Sequence, residues 1–263
     1  MSWWGKLIGG GFGFLMGGPL GALAGAALGH QFDRGLDNIQ LEPGDTERVQ
    51  LAFFTAVFSV MGYLAKADGK VSRSEIQMAE SIMAQMNLQP EQRRAAIDLF
   101  NKGKAEDFPL DDVLQQFKTE CHRRTNLIQM FLEILIGTAF ADQKLDPAEH
   151  NALRHIGSRL GFSPILLDQL IDMVAAGRNY SQPGHSHSDS TSSLQQAYAV
   201  LGVDSEVSDN ELKKAYRRLM SQHHPDKLVA RGLPEEMIKL ANQKTSEIKK
   251  AYEQIKRSRK QAH

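Results

Sequence analysis

The residues best suited to recognition chemistry are His224-Pro225-Asp226 and the cations around them. Pro225 has no amide donor and a fixed φ, so it ends the preceding helix and stiffens the loop. His224 and Asp226 are then held outward, where a carboxylate can pair with a partner's arginine in a charge-assisted bond. Just upstream, Leu212, Ala215, Tyr216 and Leu219 share one face of a helix, and Lys213, Lys214, Arg217 and Arg218 lie on the other. A lysine and arginine face is by default only a solvated surface. Beside a rigid loop, with Lys227 following, it reads as a patch that steers and orients an acidic partner. His223, His224 and Asp226 do not make a metal site, because adjacent histidines diverge and no further ligand accompanies them. Catalysis would need a nucleophile or a cofactor pocket, and the sequence offers neither.

A second set is acidic. Ala67-Asp68-Gly69-Lys70-Val71-Ser72-Arg73-Ser74-Glu75 aligns with Ala141-Asp142-Gln143-Lys144-Leu145-Asp146-Pro147-Ala148-Glu149, an internal repeat. Asp68, Glu75, Asp142, Asp146 and Glu149 are hard oxygen ligands of the kind calcium or magnesium takes, though neither loop has EF-hand spacing. The simpler reading is structural: Ser72-x-x-Glu75 and Asp146-x-x-Glu149 are capping boxes at helix starts. His185 and His187 lie in a polar segment too loose to build a metal site.

A third pattern is the stripe Gly9, Gly13, Gly17, Gly21, Gly25 and Gly29, one glycine every fourth residue. From Leu7 to Gly29 there is no charge, and a helix of that length, about 35 Å, crosses a hydrocarbon core of about 30 Å. Trp3 and Trp4 stand where an interfacial anchor would. Small residues at this period let two helix backbones approach, so the stripe predicts a homodimer contact within the bilayer. Ala22 and Ala24 resemble a signal-peptide cleavage site, but the apolar stretch is longer than a usual signal core.

These groups need elements to hold them. The expected fold class is all-α: a short tail over 1–6, a transmembrane helix over 7–30, a connector over 31–46, a helical bundle over 47–177, a flexible linker over 178–193 and a small helical domain over 194–263. In the bundle, Leu51, Phe54, Val57, Phe58, Met61 and Leu64 follow helical spacing, and Leu127 to Ala141 is almost wholly apolar. Neither run is long enough to span a bilayer, so both read as core helices. Pro90, Pro109, Pro147 and Pro164 stand where helices begin, which gives about seven helices and no strand. Pro234 is expected to open a long last helix reaching about Arg257. Among 263 residues, 31 lysines and arginines balance 31 aspartates and glutamates, so no global charge favours nucleic acid. The single cysteine, Cys121, excludes a four-cysteine zinc module.

The last region resembles a J-domain along its full length. The matching pieces are Ala197-Tyr198-Ala199-Val200-Leu201-Gly202, Leu212-Lys213-Lys214-Ala215-Tyr216-Arg217-Arg218-Leu219, His224-Pro225-Asp226-Lys227 and Ile248-Lys249-Lys250-Ala251-Tyr252. The loop Leu228-Val229-Ala230-Arg231-Gly232-Leu233 departs from the usual polar turn. The bundle is similar to TerB-like domains through its paired acidic turns. Span, bundle and terminal J-domain in this order resemble the DjlA family of membrane-anchored DnaJ-like co-chaperones. That resemblance implies a DnaK-type chaperone as partner, stimulation of its ATP hydrolysis through the tripeptide loop, and no cofactor or catalysis of the chain's own. It further implies an inner-membrane location with a periplasmic amino terminus and a cytoplasmic body. The alternative is a metal- or stress-responsive membrane scaffold in which the bundle carries the main activity. No client is named by the sequence.

Overall fold

In a computed structural model of the chain, the described residues are 17–28, 44–141, 144–181 and 190–261. They form helices with no strand among them, as the periodicity requires. The bundle is built from α2 (Asp45–Ala65), α3 (Arg73–Gln85), α4 (Pro90–Gly103), α5 (Leu110–Glu120), α6 (Thr125–Ala139), α7 (Pro147–Leu160) and α8 (Pro164–Ser181), after α1 (Gly18–Leu28). Pro90 and Pro147 sit in the first helical turn. Pro109 precedes α5 as its cap residue instead.

The core is centred on α2, every residue of which from Val49 to Gly62 is buried. By length and apolarity it is the one helix among the described residues that could cross a membrane. Its burial between other helices marks it as a core helix. Phe53 of α2, Phe117 of α5 and Phe131 of α6 meet there, with ring centroids 4.6–6.4 Å apart. Edge-on and tilted geometries of this kind add to the hydrophobic term.

The described part of the expected span is α1, and it differs from one continuous helix over 7–30. Gly17 and Gly18 have φ of +60° and +63°, a left-handed conformation foreign to the interior of a right-handed helix. The Gln116 amide of α5 holds this break, accepting from Leu20 N and donating to the Gly17 carbonyl. Leu20 and Ala24 are buried among bundle residues, so α5 and its neighbours cover apolar groups that lipid would otherwise cover. Of the glycine stripe, Gly17 lies outside the helix, Gly21 is buried and Gly25 half-buried. Gly9, Gly13 and Gly29 lie outside the described residues.

The second unit comprises α9 (Ser190–Val200), α10 (Asp209–Gln222), α11 (Pro225–Val229), a 3-10 turn (Glu235–Met237) and α12 (Ile238–Gln261). The long last helix therefore starts four residues after Pro234, which caps the 3-10 turn. α8 runs to Ser181 and α9 starts at Ser190, so helix occupies both ends of the stretch expected to be a linker. His185 and His187 lie outside the described residues.

The two units are not beads on a string. Leu228, Leu233, Met237 and Ala241 are fully buried in the same core as Phe53 and Phe131, while Ala176 of α8 joins the core of Val200, Leu219 and Ile255. Each unit lends apolar surface to the other. A flexible linker alone predicts no such exchange.

Candidate functional site

The exposed cations and the tripeptide are positioned by α10 and its packing on α12. Ser208 and Glu211 form a capping box: Ser208 N donates to the Glu211 carboxylate at 3.0 Å, and Glu211 N donates to Ser208 Oγ at 3.3 Å. Leu212, Ala215 and Leu219 are buried, and Tyr216 stacks on Tyr252 of α12 with centroids 4.2 Å apart. Arg259, near the end of α12, binds Tyr198 Oη, Asp209 and the carbonyls of Ser205 and Val207. The pair is thus pinned at the start of α10. With the apolar face spent, Lys213, Lys214, Arg217 and Arg218 are all exposed.

At its far end α10 stops at Gln222, and Pro225 is the first residue of α11. A proline suits that position because the amide it lacks would be unsatisfied there anyway. The tripeptide is therefore a sharp corner between two helices rather than a long loop. The Asp226 side chain is 91% exposed and that of His224 is 47% exposed, with Nδ1 3.9 Å from the Asp226 carboxylate. Lys227 Nζ donates to Ser221 Oγ at 2.6 Å, tying the corner back to α10. The eight predicted residues lie on α10 and the corner that follows it.

Two functional candidates escaped the sequence reading. His223, weighed there only as a metal ligand, is 2% exposed and faces Glu133 of α6. Its Nε2 lies 2.9 and 3.0 Å from the two carboxylate oxygens, and its Nδ1 lies 2.9 Å from the Leu219 carbonyl. Both ring nitrogens face acceptors, and a neutral imidazole has only one N–H. The geometry therefore calls for an imidazolium. Gln129 donates to the same carboxylate at 2.9 Å. One signal was available: Glu133 is the only charge in the apolar run from Leu127 to Ala141.

Burial alone would push the Glu133 carboxyl up. The His223 imidazolium, the Lys244 ammonium and the hydrogen bonds from His223 and Gln129 outweigh it and hold the group at about 2. For His223, burial would push the ring down, and the charge and hydrogen bond of Glu133 reverse this. Arg178, Lys244 and Glu247 line the same small cavity as Glu133. The raised histidine contributes stability below its ordinary 6.5, lost as pH rises through its folded value. The depressed carboxyl contributes above its ordinary 4.5, lost as pH falls toward 2. The stability difference between wild type and Glu133→Gln should therefore be widest between pH 4.5 and 6.5 and narrow on both sides. Thermal unfolding of the two proteins across pH checks this.

The acidic turns are occupied otherwise. Ser72 N donates to Glu75 at 2.6 Å and Asp146 N to Glu149 at 3.0 Å, while the Ala148 amide donates to Asp146. Asp68 accepts from Lys70 N across the turn at Gly69, whose φ is +89°. These carboxylates are engaged as caps and turn acceptors. Among the described residues no three histidine, cysteine or acidic side chains come together; Asp142 lies outside them.

Comparison with known families divides the chain in the same order. A co-chaperone DjlA transmembrane domain matches residues 1–39, a tellurite resistance protein TerB domain residues 54–171, and a DnaJ domain residues 196–263. No solved structure matches. The co-chaperone protein DjlA of Vibrio cholerae is 45% identical over 98% of this chain and 99% of its own length. That of Coxiella burnetii is 43% identical over 98% and 99%, and that of Salmonella typhimurium 40% over 97% and 98%. The chain is thus membrane-anchored and carries a J-domain. With all three parts present in order and identity running almost end to end, it belongs to the DjlA co-chaperone family.

Proposed function

We propose that the chain is a membrane-anchored co-chaperone that recruits a DnaK-type chaperone and stimulates its ATP hydrolysis through His224-Pro225-Asp226. The observation that carries this reading is the corner at Pro225, with the His224 and Asp226 side chains exposed and four exposed cations on α10 beside it. Lys213, Lys214, Arg217 and Arg218 orient an acidic surface of the chaperone, and Asp226 then pairs with an arginine on it. The chain breaks no bond itself; hydrolysis belongs to the partner. Since chaperone and ATP are cytoplasmic, the body faces the cytoplasm, the short amino terminus the periplasm, and the anchor sits in the inner membrane. In lipid, small residues of the anchor would serve as the contact with a second copy.

The recruitment step is tested by floating vesicles that carry the full chain in the presence of the DnaK-type chaperone and ATP. The chaperone should float with the vesicles, with an affinity that falls as salt rises, because exposed charges are screened within about 8 Å at physiological ionic strength. Neutralising Lys213, Lys214, Arg217 and Arg218 together should abolish most of that salt dependence. Failure of the chaperone to float with wild-type vesicles at low salt would contradict the reading.

A further inference from the structure

The bundle and the J-domain meet immediately behind the tripeptide, and the contact has two chemically different parts. The first is apolar. Leu228, Leu233, Met237 and Ala241, all just downstream of the corner, are fully buried with the bundle's core. Gly232, at φ +97°, is packed so closely that a Cβ would come within 2.7 Å of Val49 on α2. The second part is polar and lies just upstream. Asn126 Nδ2 donates to the Gln222 carbonyl at 3.1 Å, and His223 is locked between Leu219 and Glu133. Gln92 of α4 donates to Glu236 at 2.7 Å on the other flank. The corner is therefore held on both sides by the bundle while its own side chains face out.

These two parts do different work. Apolar burial is non-directional and supplies the attraction. A buried ion pair adds little net stability over an apolar pair of similar volume, because both charges lose their water. What it does supply is register: if the units separate or slip, a carboxylate and an imidazolium are left buried without each other, which is strongly disfavoured. Glu133 is thus poorly explained as a stabiliser of an apolar helix and well explained as a fixed point. The residue it fixes is covalently next to His224.

We propose that Glu133 is a positioning residue for chaperone stimulation: through His223 it latches the end of α10 to the bundle and sets the direction in which His224-Pro225-Asp226 is presented. The TerB-like bundle is then part of the chaperone-engaging unit, not only a spacer between membrane and J-domain. This inference rests on the co-chaperone reading above. Glu133 touches no chaperone residue and does no chemistry.

The experiment is stimulation of ATP hydrolysis by a DnaK-type chaperone, measured against concentration of the full chain in vesicles, for wild type, Glu133→Gln, His223→Gln and the double variant. Glu133→Gln keeps shape and loses the charge. It should lower maximal stimulation about tenfold, the scale of loss a small misplacement of a working group produces, while the half-saturating concentration stays near that of wild type because the α10 cations are intact. The double variant should fall no lower than His223→Gln alone, since both remove one latch. Glu133→Gln with full stimulation, whether or not its unfolding temperature drops, would overturn the proposal; so would a raised half-saturation with unchanged maximum. If Glu133→Gln does not fold, amide exchange in wild type decides. The Leu228 and Leu233 amides should exchange as slowly as those of α6, and exchange at open-loop rates would overturn the latch. An inactive wild type would instead remove the co-chaperone reading itself.

Discussion

Replacing His224 by Gln should abolish stimulation of the chaperone's ATP hydrolysis and leave the fold and recruitment intact. The side chain is 47% exposed and, among the described residues, its one ionic neighbour is Asp226 at 3.9 Å, so little of the protein's own stability depends on it. Surface substitutions of this kind usually change stability by no more than about 0.5 kcal/mol. What is lost is an imidazole at the tip of a rigid corner. If it acts as an interface hot spot, its loss costs about 2 kcal/mol or more. That corresponds to about thirtyfold in coupling to the partner. Recruitment should persist, because the four cations of α10 are untouched. Parallel measurements of hydrolysis and vesicle flotation check this, and unaltered stimulation by His224→Gln would move the function away from the corner.

The largest effect on folding is expected at a crossing that holds the bundle together. Gly62 of α2 and Gly103 of α4 face each other's helix reciprocally: a Cβ on Gly62 would lie 2.0 Å from the Phe100 carbonyl oxygen, and one on Gly103 would lie 1.7 Å from that of Ser59. Both obstacles are backbone, which no rotamer change can move. Ordinarily Gly→Ala within a helix gains about 1 kcal/mol from propensity alone. Here the helices must separate, and overpacking without relief costs about 3 kcal/mol or more. For a chain of this size that lowers the unfolding midpoint by about 10 °C. Gly137→Ala in α6 is the control, since nothing lies within 4 Å of its Cβ, and it should leave the midpoint unchanged or raise it. Thermal unfolding followed by circular dichroism separates the two. A Gly103→Ala protein as stable as wild type would mean that α2 and α4 do not cross this closely.

Much of this architecture was legible because its signals are local. Capping boxes at Ser72, Asp146 and Ser208, prolines opening α4 and α7, and the two-faced pattern of α10 each depend on residues within one turn. The exposed cations and the corner at Pro225 follow from the same short-range rules. What was not legible is what depends on distant partners. Leu228 and Leu233 read as an odd apolar loop, and only the bundle beside them explains why they are apolar. His223 and Glu133 are separated by 90 residues, and nothing in either neighbourhood names the other. Pattern nonetheless left a trace, since an isolated glutamate within Leu127–Ala141 needs a partner somewhere. The expected single helix over 7–30 failed at Gly17 and Gly18 for a different reason. Periodicity records which residues share a face, not whether a glycine will adopt positive φ.

Repeated aspartates and glutamates invite a cation, yet Glu75 and Glu149 fold back onto their own cap amides. In both copies the glutamate closes a capping box at the start of the helix that follows.

The measurement that bears most directly on the whole account is single-turnover ATP hydrolysis by a DnaK-type chaperone, with and without the full wild-type chain in vesicles. A clear acceleration of the hydrolysis step itself is expected when the chain is present. An unchanged rate, with the chaperone nonetheless bound to the vesicles, would contradict it and leave the chain as an anchor without a trigger.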